Sequence, residues 1–231
     1  MTRTDSPPSA QRAPFLHAGT GSGSELWLVR HAEVHEDWQG RAYGDLDVPL
    51  SDGGAQRTRE LIPILAALGP TLVVTSPLSR AHQLGSALAQ AADVPLMIEP
   101  DLREVNRGTW QGMRVRDLMR DAREDVRAFY ADPWTWRGHG GESDALLSAR
   151  AWAVVARVLA KAGGGRVVMT THYNVIRVLA AGALGIPAPS SFAFRVDPGR
   201  LSLFVDRPGG WVLAHSNAGA PPRVDAEDER A

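Results

Sequence analysis

Apolar and polar positions along this chain follow two rhythms. Short, nearly unbroken apolar runs at Glu25-Leu-Trp-Leu-Val-Arg30, Thr71-Leu-Val-Val-Thr75 and Arg166-Val-Val-Met-Thr170 read as strands buried on both faces. Between them, apolar residues recur at helical spacing. Ser51-Asp-Gly-Gly opens a helix through Leu61, Ile64, Leu65 and Leu68, which Gly69-Pro70 stops. Ser76-Pro77 predicts the N-cap and first position of a second helix reaching about Ala92. A short strand is expected at Leu96-Met-Ile98, and residues 114–137 predict one or two surface helices ending in Phe129, Tyr130, Trp134 and Trp136. A long helix is expected from about Ser143 to Ala162, ended by Gly163-Gly-Gly165, and another from about Asn174 to Leu184. Three alternating segments, 191–196, 200–206 and 211–215, joined by Asp197-Pro-Gly and Arg207-Pro-Gly-Gly turns, read as antiparallel strands. Strands alternating with helices predict an α/β fold: a three-layer α/β/α arrangement with a mostly parallel central sheet and an antiparallel C-terminal portion.

The flanks lack these rhythms. Residues 1–24 are rich in Ser, Pro and Gly and read as a flexible leader, and residues 216–231 are charged and read as a disordered tail. One domain is therefore expected over 25–215. The leader has no apolar core of signal-peptide length, and no stretch approaches the roughly 18 apolar residues that span a bilayer. Cytoplasmic residence, with no membrane association, is the expectation.

Charge narrows the chemistry. The chain of 231 residues carries 25 Lys+Arg against 26 Asp+Glu, a formal charge of −1, so no global field attracts nucleic acid or anionic lipid. Any anion site must be local. Cysteine is absent, which excludes disulfides, thiolate nucleophiles and Cys-ligated metal. Lys161 is the one lysine, leaving arginine as the abundant phosphate-binding side chain.

Three predicted strands run out into chemistry-bearing residues. The first ends in Arg30-His31, the second leads into Ser76-Pro-Leu-Ser-Arg80, and the third leads into Thr171-His172-Tyr-Asn174. Ligands in open α/β sheets bind at the carboxyl ends of strands, so Arg30, His31, Arg80 and His172 are candidates for one basic pocket. Helices starting after those ends would add N–H groups suited to a dianion. On spacing alone, solvated surface histidines remain the competing reading. His31-Ala-Glu33-Val-His35 has the period-two spacing of a metal face on an extended strand, but no further His/Asp cluster supports it, so no metal is assigned. Gly19-Thr-Gly-Ser-Gly precedes a strand where a nucleotide loop would follow one, and reads as linker. His17, His82, His139 and His215 lack an informative context.

Several motifs, in order, identify a resemblance. The chain is similar to the histidine phosphatase superfamily, which contains cofactor-dependent phosphoglycerate mutases and related small phosphatases. The family opening Arg-His-Gly-Glu stands here as Arg30-His31-Ala32-Glu33. It is followed by Gly40-Arg41-Ala-Tyr-Gly44-Asp-Leu-Asp47-Val-Pro49-Leu50, Ser76-Pro-Leu-Ser-Arg80-Ala81 and Leu102-Arg-Glu104, and then by Gly108-Thr-Trp110-Gln-Gly112, Gly140-Gly-Glu-Ser143 and His172-Tyr-Asn-Val-Ile-Arg177. The likeness runs from about residue 26 to 205. It implies that His31 is the nucleophile that takes the phosphoryl group, that Arg30, Arg80 and His172 surround the phosphoryl oxygens, and that Glu104 is the general acid/base. A neutral imidazole suits that role near pH 7. A purely structural pairing of Glu104 with Arg103 or Arg107 is the competing reading.

Departures from the family pattern bear on substrate. Val34-His-Glu-Asp37 replaces a segment that carries a phosphate-contacting Asn, and an acid beside phosphate would repel it. Tyr173 stands where the family has Gly, and Asn174 matches the mutase-like version. Asp37, Tyr43, Gly44, Tyr173 and Asn174 are the expected substrate-binding residues. The resemblance implies an enzyme hydrolysing a small phosphate monoester, with no cofactor and with a homodimer open as its assembly. Its Gly-x-Trp-x-Gly and Gly-Gly-Glu-Ser variants are similar to those of phosphatases of nucleoside or sugar phosphates, α-ribazole phosphate included. A phosphoglycerate mutase is the first alternative, disfavoured because Glu104-Val-Asn-Arg-Gly108 replaces the mutase pattern Glu-Arg-His-Tyr-Gly. A non-catalytic phospho-ligand-binding module is the second, disfavoured because all five catalytic positions hold working residue types. The aromatics at 129–136 suit either a cap over the pocket or ordinary helix packing.

Overall fold

A computed structural model describes residues 17–219. Strands β1 (Glu25–Arg30), β2 (Leu72–Thr75), β3 (Leu96–Ile98), β4 (Arg166–Thr171), β5 (Leu201–Arg207) and β6 (Gly210–Ala218) form one sheet in the order β3-β2-β4-β1-β5-β6. The first four pair in parallel, and β5 runs antiparallel to both β1 and β6. This is the expected mostly parallel sheet with an antiparallel C-terminal portion.

The apolar strand runs are explained by burial on two sides. Alternate residues of a strand face opposite ways. Trp27, Val29, Val73 and Val168 pack under α1 (Asp52–Ala66) and α2 (Ser79–Ala92), meeting Leu61, Leu65, Leu84 and Leu88. Leu26, Leu28, Val74 and Met169 face α5 (Asp144–Ala162) and α6 (Tyr173–Leu184), meeting Leu147, Val155, Val158 and Ile176. Each such side chain, fully buried, is worth about 1.5–3 kcal/mol against exposure. A third, smaller cluster joins Trp110 to Leu118 of α3 (Val115–Asp121) and to Val126 and Phe129 of α4 (Arg123–Ala131).

Four local expectations need correction. Segment 191–196 is not a strand: residues Ala188–Ala193 form a 3-10 helix, in which Pro189 lacks an N–H and Ser191 Oγ donates to the Ala188 carbonyl. Phe192 lies under the Arg177 guanidinium, and the Val196 side chain joins the core while its carbonyl accepts from Arg30. The second helix starts at Ser79 with Leu78 as N-cap, so Ser76 is not its cap. The leader boundary also shifts, because residues 17–24 are pinned. Asp206, fully buried on β5, accepts from Thr20 Oγ1, the Gly21 and Ser22 N–H groups and Ser22 Oγ. His17 stacks on Trp152, with ring centroids 4.1 Å apart. Likewise β6 continues to Ala218, beyond the expected start of the tail. The rest of the leader and tail, 1–16 and 220–231, lies outside the described residues. Among the described residues no helix is long and apolar enough to cross a membrane.

Candidate active site

Parallel pairing brings the candidate residues together. In the β1/β4 register Arg30 lies opposite Thr171, so His31 and His172 step off adjacent strands side by side. Their rings sit 5.3 Å apart. On the other side of β4, Thr75 pairs with Thr170, and Ser76 follows it to reach His172 Nε2 with its hydroxyl at 2.8 Å.

His31 is 2 % exposed, and its Nδ1 lies 2.7 Å from the Ala32 carbonyl oxygen. A carbonyl only accepts, so Nδ1 carries the proton and Nε2 keeps its lone pair. Burial holds the His31 pKa well below the usual imidazole value, and the Arg80 and Arg30 charges push it the same way against the Ala32 bond. Burial, then Arg80, His31 and Arg30, also lower His172. Both rings are thus neutral among cations.

The two arginines are fixed from behind. Arg80, fully buried, donates to the Leu46 and Gly44 carbonyls at 2.7 and 2.9 Å and lies over the Tyr43 ring at 5.1 Å. Arg30 donates to the Val196 carbonyl at 2.6 Å and lies over the Tyr173 ring at 5.5 Å. Each keeps a buried Nε without a protein partner, as does His172 Nδ1. Orphaned buried polar groups are costly, and these three belong to one electropositive cluster around His31. Such a cluster suits a dianion with several oxygens.

Glu104, 5 % exposed, makes no ion pair with Arg103 or Arg107. Its carboxylate accepts from the Val105 N–H at 2.8 Å and the Asn174 N–H at 3.2 Å. Its backbone is held by Arg150, which donates to the carbonyls of Asp101, Arg103 and Glu104 while pairing with Glu142 at 2.9 Å. Glu142 also accepts from the Asn106 N–H, so the Gly-Gly-Glu-Ser motif frames the Glu104 loop.

Four of the five expected substrate residues join this cluster. Tyr43 and Tyr173 flank it, Gly44 supplies a carbonyl to Arg80, and Asn174 contacts Glu104. Gly44 has φ +49°, and a Cβ there would come 2.7 Å from the Val105 carbonyl oxygen, so glycine is required. Asp37 is not brought in. It sits on an exposed turn at Glu36–Trp38, its side chain 3.4 Å from His35 Nδ1, in a separate surface cleft with Arg41, Arg114 and Arg116. His35 is half-exposed there while His31 is buried, so the two do not share a metal face. Sequence reading missed Ser76, spent on a helix cap, and the frame of Arg150. Arg107, weighed only as a partner for Glu104, donates instead to Asn174 Oδ1 at 3.1 Å and lies over Phe129 at 4.8 Å. Of the aromatic segment, Trp136 packs on Trp110, Phe129 lies under Arg107 and Tyr130 meets Phe192, which is the local packing among the two alternatives.

Comparison with known proteins agrees with this geometry. The sequence profile of the histidine phosphatase superfamily (branch 1) matches residues 26–219. The adenosylcobalamin/alpha-ribazole phosphatase of Escherichia coli (strain K12) is 29% identical over 174 residues, covering 75% of this chain and 86% of that protein. The glucosyl-3-phosphoglycerate phosphatase of Mycolicibacterium vanbaalenii is 32% identical over 169 residues, covering 70% and 75%. The crystal structure of the alpha-ribazole phosphatase from Shigella flexneri superposes with a TM-score of 0.76 at 28% identity, covering 87% of this chain and all of that one.

Proposed function

Because the chain belongs to the histidine phosphatase superfamily (branch 1), we propose that it hydrolyses a small phosphate monoester through a phosphohistidine on His31. His31 Nε2 attacks phosphorus, and the N–P bond forms as the ester P–O bond breaks. Glu104 gives the departing alkoxide its proton. Water then attacks the phosphohistidine, Glu104 takes a proton from it, and inorganic phosphate leaves as the N–P bond breaks. Arg30, Arg80 and His172 neutralise the equatorial oxygens. Phosphoryl transfer proceeds through a loose, charge-spread transition state that responds mainly to such fixed charges, so the proposal calls for no cofactor.

One observation carries this reading. The His31 proton is tied to the Ala32 carbonyl, which leaves a bare Nε2 among three buried donors or ring nitrogens without protein partners. A structural histidine would have its second nitrogen accept from a protein donor instead of standing bare.

The test uses two variants and two substrates. His31→Ala abolishes turnover of p-nitrophenyl phosphate. Glu104→Gln lowers kcat/KM, which reports phosphoryl transfer to His31, about 10²–10⁴-fold for an alkyl phosphate and much less for p-nitrophenyl phosphate, since nitrophenolate leaves without a proton, while the later water step slows for both. Undiminished turnover in His31→Ala would overturn the mechanism.

A further inference from the structure

Behind the second histidine stands a buried hydroxyl for which the hydrolytic steps have no use. His172 follows β4 as the N-cap residue of α6 and is fully buried. Its Nε2 lies 2.8 Å from Ser76 Oγ, while its Nδ1 meets no hydrogen-bond partner among the described residues. Ser76 is fully buried as well, one step beyond the end of β2. Its backbone is fixed on two sides: the N–H donates to the Thr170 carbonyl at 3.0 Å, and the carbonyl accepts from Thr75 Oγ1 at 3.1 Å. The hydroxyl therefore approaches His172 from a rigid sheet end.

The direction of this contact follows from the other neighbour of the hydroxyl. A hydroxyl offers one proton and two lone pairs. Ser76 Oγ accepts from the Leu78 N–H at 3.3 Å, and that amide can only donate. The hydroxyl proton is left with one neighbour able to accept it, His172 Nε2. A buried hydroxyl proton without an acceptor is costly, so Nε2 holds the lone pair. Burial, then Arg80, His31 and Arg30, keep the ring neutral, and a neutral imidazole carries a single proton. That proton is on Nδ1. The unpartnered nitrogen of His172 is thus a donor, like the unpartnered Nε groups of Arg30 and Arg80. In the other tautomer the ring would turn a lone pair to the same side, and a phosphoryl oxygen there would meet repulsion instead of a bond.

We propose that Ser76 is a positioning residue for phosphoryl transfer: by donating to Nε2 it fixes His172 as the Nδ1–H tautomer, which presents a hydrogen-bond donor to a phosphoryl oxygen. This rests on the reading that His172 contacts the transferring group. Arg30 and Arg80 are donors at every nitrogen and need no such control, whereas a neutral imidazole can place its proton on either side. A donor aimed before the reaction begins costs no reorganisation when charge moves onto the oxygen. The segment from β2 into α2 thereby supplies Arg80 directly and orients His172 through Ser76.

The experiment reads the proton itself. In a long-range proton–nitrogen correlation spectrum of the isotope-labelled protein at neutral pH, the His172 signals, assigned by their loss in His172→Ala, show Nδ1 protonated and Nε2 bare. In Ser76→Ala that pattern moves toward Nε2–H or an average of the two tautomers. Its kcat for p-nitrophenyl phosphate falls about tenfold or more, with KM changed less, as expected when an oriented transition-state donor is lost. In the His172→Ala background the same substitution costs no more than about twofold, because its effect runs through the imidazole, whereas a merely structural role multiplies the two losses. An Nε2–H tautomer in the wild-type protein overturns the inference, as do multiplying losses in the double variant or a Ser76→Ala protein with wild-type kcat. The phosphatase reading fails separately, through undiminished turnover in His31→Ala, since the tautomer is read without turnover.

Discussion

A histidine attacks phosphorus only while its ring is neutral, and here burial and two guanidinium charges keep His31 so. Its ordinary value is about 6.5, and all three influences lower it. The unprotonated form therefore persists as pH falls through 6.5. For p-nitrophenyl phosphate, kcat/KM shows no acid limb with a midpoint near 6.5; a limb at that pH would contradict the assigned environment. The same shift has a cost in stability. Below about pH 6.5 the unfolded chain binds protons that folded His31, His172 and His139 refuse, His139 being pushed down to about 4. Stability is thus full above 6.5 and declines as pH drops toward 4, and melting temperature followed over that range checks it. The main actors at this scale were legible because each follows a strand end in a motif. Asp37 was not, because nothing in the sequence says that its turn faces outward. Nor was Ser76, since a Ser-Pro pair signals a cap as strongly as a ligand to His172.

Elements hold these residues through close backbone approaches that leave no room for change. At the start of α1, Ser51 caps the helix by accepting from the Gly54 N–H at 2.9 Å, as its sequence predicts. Gly54 itself packs on the loop after the nucleophile, where a Cβ would overlap the Glu33 carbonyl oxygen. Gly54→Ala gains about 1 kcal/mol in helix propensity but must displace that backbone, for which overpacking costs of about 1–3 kcal/mol are usual. With a carbonyl as the obstacle the upper end applies, so urea unfolding shows a net loss of at least about 1 kcal/mol. Turnover of p-nitrophenyl phosphate falls with it, because the displaced residues adjoin His31. A variant as stable and as active as wild type would show that the loop is not held this way. Helix spacing and glycine stops made four of the six helices, α1, α2, α5 and α6, readable to within a few residues. The region from 114 to 137 resolved only as short helices broken at Ala122, since its aromatics serve a local cluster and not one continuous face.

Across the whole molecule, the mostly parallel sheet with its antiparallel C-terminal portion followed from apolar runs and turn residues, whereas the strand order and the ends did not. A Ser/Gly-rich segment reads as free chain because its anchors, Asp206 and Trp152, lie far away in sequence. The strap at 17–24 ties β5 to the C-terminal half of α6, where Gly182 leaves space for the His17 and Trp152 rings. Asp206→Ala removes an acceptor that serves four donors and lowers stability by about 2–3 kcal/mol. Denaturant midpoints measure this, while p-nitrophenyl phosphate turnover stays close to wild type because the strap lies outside the pocket; an unchanged midpoint would show the strap to be idle. The central claim concerns one bond, from phosphorus to a histidine nitrogen. Its most direct test mixes the protein with radiolabelled phosphate ester, quenches in alkali within milliseconds to seconds, and maps the label by mass spectrometry. An acid-labile, alkali-stable phosphoryl group on His31, absent from His31→Ala, is the predicted result. Turnover with no trapped label at any quench time, or with label on another residue, would contradict it.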